Sequence, residues 1–181
     1  MLQNNSITTK TKQKYNIEEI TFKDAVQLEQ IGKKCLPIYY SASDILFLLF
    51  DSDYVLYKIS NNTKIVGFII AKKKYHEYNS DDDNNEENNN NKISQIIRFH
   101  IMSIGILPKF RKCGLATNLI KTLKQNITNK YKYKIKLSLF VLTNNKAAIK
   151  LYEKNNFFRI FEDENYYESL PHKNAYYYET K

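Results

Sequence analysis

Arg111-Lys112-Cys113-Gly114-Leu115-Ala116 is the stretch of this chain best suited to hold a small charged ligand. It lies between an almost wholly apolar run, residues 101–107, and a segment in which Leu115, Leu119, Ile120, Leu123 and Ile127 recur at helical spacing. The pattern predicts a strand, a short basic turn and a helix N-terminus. Gly114 and Ala116 carry almost no side chain, so a ligand can approach main-chain N–H groups that precede the first helical hydrogen bonds. Those groups and the helix dipole favour an anion, above all a phosphate, and Lys109, Arg111 and Lys112 add positive charge. The turn is neither a Walker A loop, lacking Gly-Lys-Ser/Thr, nor a dinucleotide fingerprint, lacking G-x-G-x-x-G.

The elements that must position this turn follow from hydrophobic periodicity. Residues 15–20 read as a strand. Residues 22–35 read as a helix with Thr21 as N-cap and Ala25, Leu28 and Ile31 on its buried face, and 43–50 as a short, very apolar helix. Strands are expected over 54–59, 65–73 and 96–107, mutually antiparallel. The ligand helix follows over 113–131, then a strand over 135–142, a helix over 145–155, and strands over 157–163 and 175–180. The order β-α-α-β-β-β-α-β-α-β-β describes an α+β chain, a mixed and mostly antiparallel central sheet flanked by helices in three layers.

At 181 residues and 43% hydrophobic content, the chain has room for one domain with a proper core, expected over 15–181. Residues 1–14 are polar, lack a signal-peptide core and are expected to form a disordered tail. Residues 79–91 contain seven Asn, five Asp or Glu and one Ser, so nothing there can be buried and a disordered insert at a hairpin tip is expected. No stretch approaches the roughly 20 apolar residues of a transmembrane helix. Cys35 and Cys113 provide neither a disulfide framework nor metal-ligand spacing, and no metal is expected. These features point to the cytoplasm or to a cytoplasm-facing surface, and a monomer is expected. A net charge of +9 suits an anionic cofactor. The lysines are scattered without an Arg-rich stripe or an aromatic RNA motif, so no DNA partner is expected and a ribosome contact is the minor alternative.

Arg111-x-x-Gly114-x-Ala116 after a strand resembles the acetyl-coenzyme A motif of the GNAT N-acetyltransferases, Gln/Arg-x-x-Gly-x-Gly/Ala. Asn145, Ala148 and Tyr152 resemble the same family's Asn-x-x-Ala-x-x-x-Tyr helix. Where the family has Gly-Phe this chain has Asn156-Phe157, and Asn tolerates the left-handed conformation that the helix end needs. The resemblance covers residues 15–181 apart from the insert and implies the GNAT fold with acetyl-coenzyme A as cofactor. It assigns cofactor binding to Ile104, Gly105, Ile106, Arg111, Lys112, Cys113, Gly114, Leu115, Ala116, Thr117, Asn145, Ala148 and Tyr152.

Leu36-Pro37-Ile38-Tyr39-Tyr40 resembles the Phe-Pro-Val-x-Tyr loop of the NatE catalytic subunit and the Phe-Pro-Ile-x-Tyr loop of NatF. Asn165-Tyr166-Tyr167 resembles the Asn-Tyr-Tyr of NatE, whereas Phe110-Arg111-Lys112 and Val141-Leu142-Thr143 lean toward NatF. The resemblance implies acetylation of the α-amine of protein N-termini that keep their methionine. Leu36, Pro37, Ile38, Tyr40, Met102, Phe140, Tyr166 and Tyr167 are then the acceptor residues. Tyrosines suit that task, since they line an apolar pocket and still hydrogen-bond peptide backbone. The family's Tyr and His of the fourth and fifth strands correspond to His100 and Phe140. His100, at an ordinary pKa near 6.5, is therefore expected to take the amine proton, the alternative being that it only packs or orders water while bulk water takes the proton, and Tyr152 is expected to protonate the leaving thiolate. NatF also carries a C-terminal membrane-binding extension; residue 181 falls near the last expected strand, so the expectation is either a soluble protein or one from which that extension has been removed. The alternatives are a lysine or small-amine acetyltransferase, or an inactive family member serving as an auxiliary Nat subunit at the ribosome.

Overall fold

The computed structural model describes residues 5–8, 14–62, 64–74, 96–131 and 133–181. The expected insert at 79–91 lies outside the described residues. Eight strands form one sheet: β1 (Asn5–Thr8), β2 (Lys14–Glu19), β3 (Tyr54–Asn61), β4 (Lys64–Lys74), β5 (Ile96–Ile106), β6 (Lys134–Leu142), β7 (Phe157–Asp163) and β8 (Ala175–Thr180). Their order across the sheet is β1-β2-β3-β4-β5-β6-β8-β7. Only the β5–β6 pair is parallel; the other pairs are antiparallel. The helices are α1 (Ala25–Cys35), α2 (Ala42–Phe50), α3 (Leu115–Tyr131) and α4 (Lys146–Lys154).

Strand β4 explains the layering. Ile65, Phe68 and Ile70 pack with Leu28, Ile31 and Ile45 of α1 and α2. Val66, Ile69 and Ala71 pack with Leu119, Leu123 and Ile127 of α3. Covered on both faces, β4 is an unbroken apolar run instead of an alternating one. The buried face expected for the first helix, Ala25, Leu28 and Ile31, is buried as read.

Three boundaries differ from the sequence reading. Residues 5–8, expected to be part of a disordered tail, form β1, pairing Asn5↔Ile17 through Thr8↔Lys14, and Lys14 opens β2. An edge strand is held by main-chain hydrogen bonds, which leave no mark in side-chain hydrophobicity. The first helix opens with a 3₁₀ turn, Phe22–Asp24, in which the Asp24 carboxylate accepts from the Thr21 N–H and hydroxyl, each at 2.8 Å. Helix α3 begins at Leu115, because Lys112 and Gly114 adopt positive φ of 62° and 79°. Asn156 takes the left-handed conformation expected of it, at φ 62°.

Candidate active site

Strands β5 and β6 pair from Ile96↔Lys134 to Ile101↔Leu139 and then part, although β5 runs on to Ile106 and β6 to Leu142. Over Met102–Ile106 the β5 edge that faced β6 has no strand beside it. The parting coincides with a bulge: Ile70 pairs with Ser103 and Ala71 with Ile101, so Met102 is the extra residue. A bulge bends its strand and re-aims the side chains around it. Met102 stands 39% exposed there. Among the described residues, Ser103 Oγ is the buried side-chain oxygen without a hydrogen-bond partner. Its partner in register, Ile70, belongs to the α1/α2 cluster, so Ser103 faces that side of the sheet.

The basic turn sits beyond the end of β5. The first main-chain bond of α3 runs from Asn118 N–H to Gly114 C=O at 3.0 Å, so the N–H groups of Leu115, Ala116 and Thr117 precede the helical ladder. A Cβ built on Gly114 meets nothing within 4 Å, which leaves the turn open to an anion. Arg111 is committed elsewhere than expected. Its N–H donates to Pro108 C=O at 3.2 Å and its Nε to Ile106 C=O at 3.0 Å, while its guanidinium also reaches the Cys35 thiol. Arg111 therefore fixes the end of β5 against the end of α1, and the open cradle is 112–117 rather than 111–116. Gly105 allows the same approach, since a Cβ there would lie 3.1 Å from the Phe68 ring and 3.5 Å from Cys35 Cβ.

Helix α4 closes the far side of the parting. Asn145 caps it, Oδ1 accepting from Ala148 N–H at 3.1 Å, so the Asn-x-x-Ala spacing is in the first place a helix start. The Asn155 amide bonds Thr117 Oγ1 at 3.2 Å and Leu151 C=O at 2.7 Å, locking the end of α4 to the start of α3. Tyr152 is buried at 6% exposure and packs edge-on to Phe157. Burial, and then the neighbouring Tyr167, push its phenol far above the ordinary range, so it keeps its proton.

On the α1/α2 side, aromatic rings gather around His100. Phe140 stacks on Tyr166 with centroids 3.7 Å apart, and Tyr177 lies parallel to both His100 and Phe161. Tyr167 Oη donates to Phe140 C=O at 3.4 Å, and its phenol is pushed up to about 12 by burial and then by Tyr166. The Tyr40 phenol is raised by burial and then by Tyr54 and Tyr166, which places the loop after α1 beside the loop after β7. The expected acceptor residues Tyr40, Tyr166 and Tyr167 are thus brought together. Pro37 and Ile38 are exposed, Ile38 at 49%.

His100 departs most from expectation. It is 6% exposed, its Nδ1 lies 3.0 Å from Ser138 Oγ, and burial, with Lys74 adding to it, pulls its pKa down to about 4. At neutral pH it is an uncharged hydrogen-bonding group and a much weaker base than an exposed imidazole. Ser103, Ser138 and Tyr177 escaped the sequence reading. Only the tertiary fold puts Ser138 and Tyr177 beside His100, and only the bulge turns Ser103 to the same face, though an unusual Ser within an apolar strand was the trace that Ser103 left.

A parted parallel strand pair thus stands beside an open glycine turn, with the end of α4 tied to the start of α3. The chain belongs to the acetyltransferase (GNAT) family, whose model matches residues 25–157. It is 26% identical to an N-alpha-acetyltransferase of Sulfolobus acidocaldarius over 88% of this chain and 89% of that protein. Its 34% identity to an N-alpha-acetyltransferase of Saccharolobus solfataricus spans 41% of this chain and 44% of that one. It is 27% identical to the Arabidopsis thaliana N-terminal acetyltransferase A complex catalytic subunit NAA10, over 80% and 66%. In fold it is similar to Arabidopsis thaliana NAA60 in complex with acetyl-CoA, with a TM-score of 0.76, 20% identity and 91% and 97% of the two chains covered. It is likewise similar to Arabidopsis thaliana Naa50 in complex with the bisubstrate analogue CoA-Ac-MVNAL, at 0.71, 21%, 92% and 98%.

Proposed function

We propose that this protein transfers acetyl from acetyl-coenzyme A to the α-amine of protein N-termini, with Met-starting chains preferred. The reading is carried by the approach of Tyr40 to Tyr166, which stacks on Phe140, one residue past the last β5–β6 pair. The likeness to archaeal N-alpha-acetyltransferases supports it. Acetyl-coenzyme A, when bound, supplies an acetyl thioester and a thiolate leaving group. The open cradle at 112–117 fits its pyrophosphate, and the unpaired β5 edge over Met102–Ile106 fits the amide-bearing arm. Leu36, Pro37, Ile38, Met102 and the ring of Tyr166 supply apolar surface for a methionine side chain. Tyr167 is anchored by its bond to Phe140. Tyr152 Oη holds a proton for the sulfur. Ser103 Oγ, lacking a partner, is free to bond the acceptor.

The amine proton has no strong base to meet. An N-terminal α-amine has a pKa near 7.7–8.0, so an appreciable fraction is neutral at pH 7.5, and a weakly basic His100 suffices to orient a water that carries the proton away. A lysine amine near 10.4 lacks that advantage. The working setting proposed is the cytoplasm. Phe22, Val26, Phe47 and Phe50, 62% to 84% exposed on and beside α1 and α2, support an auxiliary subunit there over a lone monomer.

The deciding experiment is a peptide panel with acetyl-coenzyme A, comparing free Met N-termini, other free N-termini, and N-blocked peptides with internal lysines. Acetyl located on the α-amine of the Met peptides is the expected result. Equal or faster modification of the blocked peptides would replace this reading with the lysine one.

His100→Phe tests the proton route. The variant is expected to lose less than about tenfold in kcat/KM, below the usual 10²–10⁴ of general-base help, with wild type and variant both rising with pH through the acceptor amine's pKa. A hundredfold loss confined to pH 6.5–7.5 would make His100 the base. The same substitution reads out in stability. Because the folded pKa lies below the unfolded value near 6.5, the unfolded chain binds more protons as pH falls from about 6.5 to about 4, and stability drops across that window. The full effect is on the order of 3 kcal/mol. Relative to wild type, His100→Phe should therefore gain melting temperature between pH 7 and pH 4.

A further inference from the structure

The two ring nitrogens of His100 have different surroundings. Nδ1 lies 3.0 Å from Ser138 Oγ. His100 and Ser138 are register partners on β5 and β6, so their side chains share one face of the sheet. Ser138 is 2% exposed, and among the described residues its hydroxyl has His100 Nδ1 as its one hydrogen-bond partner. Glu179 stands opposite Ser138 on β8, but its carboxylate oxygens accept from Arg98 Nε at 3.0 Å and Lys136 Nζ at 3.4 Å. Nε2 bonds no protein group among the described residues. It is not walled in either, since the buried side-chain atom without a partner among them is Ser103 Oγ. Phe140 packs against both the His100 ring, with centroids 5.6 Å apart, and the Tyr166 ring, at 3.7 Å, so the imidazole is one ring away from a residue proposed for the acceptor.

A neutral imidazole has one N–H and one lone pair, and a serine hydroxyl can donate or accept. Burial, with Lys74 adding to it, keeps the His100 ring uncharged at pH 7. With the proton on Nδ1, that nitrogen would donate to Ser138 Oγ, and the Ser138 hydrogen would be buried without an acceptor, a costly arrangement. With the hydroxyl donating to Nδ1, both groups are satisfied and the ring proton sits on Nε2. We propose that Ser138 is a positioning residue: its hydroxyl donates to His100 Nδ1, fixes the imidazole as the Nε2–H tautomer, and so makes His100 a hydrogen-bond donor in the acceptor site rather than the base of the reaction. The proposal rests on the α-amine reading above and assigns the proton's route within it. Nε2–H donates to a water oxygen, which keeps its second lone pair for the amine. As the amide forms, that lone pair takes the amine proton and the water passes one of its own to solvent. A donor draws no proton from an ammonium, so the site serves amines that are partly neutral already, those near 7.7–8.0 rather than near 10.4.

The test is nitrogen NMR of the imidazoles in isotope-labelled protein at pH 7, with His100→Phe identifying the His100 signals among those of the three histidines. Wild type should show Nε2 protonated and Nδ1 bare but hydrogen-bonded. Ser138→Ala removes the donor, and the Nδ1 resonance should move downfield to that of an unbonded lone pair. Ser138→Thr keeps the hydroxyl and should hold the wild-type position. A Met-starting peptide with a free N-terminus supplies the kinetic readout. Ser138→Ala should lower its kcat/KM by about threefold, the worth of one neutral hydrogen bond. Combined with His100→Phe it should cost no more than His100→Phe alone, because Ser138 acts through the ring. A wild-type proton on Nδ1, an Nδ1 resonance indifferent to Ser138→Ala, or additive losses in the double variant overturns the proposal and leaves α-amine acetylation of the wild type intact. If the wild type modifies only N-blocked, lysine-containing peptides, the functional reading fails instead, and the role given to the donor falls with it.

Discussion

Gly114→Glu is expected to abolish coenzyme A binding, lowering affinity by more than about a hundredfold in calorimetry. Three effects act together. Gly114 sits at φ 79°, a left-handed conformation that costs an L-residue roughly 1–2 kcal/mol. A carboxylate would stand beside the N–H groups of Leu115 to Thr117, where an anion has to bind. Its side chain would also fill the space now open above the turn. Gly114→Ala separates these terms, since its Cβ meets nothing within 4 Å and it adds no charge. A loss of only a few fold is expected from it. Unchanged affinity in the Glu variant would remove the turn from the cofactor site, and an equal loss in both variants would reduce its role to backbone geometry.

Tyr152→Phe should lower kcat by about a hundredfold with little change in peptide KM. General acid help is worth about 10²–10⁴, and this hydroxyl serves the leaving group rather than the acceptor. Phe keeps the ring that packs on Phe157 in the core, so the melting temperature should change little. The raised proton affinity of the buried phenol means that wild type and variant should run parallel in kcat up to at least pH 9. A rise in KM without a fall in kcat would make Tyr152 a packing residue of the acceptor side.

Both substitutions fall on residues that the sequence singles out, because their signals are local. A strand, a small-residue turn and a helix are written in periodicities of two and 3.6 and in the placement of Gly114. The α4 motif is similarly local: Asn145 caps the N–H of Ala148 three residues on, and Asn156 accepts the left-handed turn that ends the helix. Such interactions reach no farther than a helical turn, so one chain suffices to read them. The partners of the Arg111 side chain, Ile106 and Cys35, were not legible, since they are chosen by how α1 packs on Gly105.

By itself, then, the amino-acid sequence determined the order of the elements from β2 onward, the small-residue turn at Gly114 and the identity of the aromatic residues available to an acceptor. Tertiary structure decided what those residues do to one another. The parting of β5 from β6 depends on a bulge at Met102, defined only by register with β4. The meeting of Tyr40 with Tyr166 joins two loops far apart in the chain. The proton affinity of His100 is set by desolvation among Phe140, Tyr177 and Ser138 and by the charge of Lys74. Burial and cross-strand neighbours are non-local quantities, and an imidazole that the sequence leaves near 6.5 becomes, inside the folded sheet, a neutral group that titrates near 4.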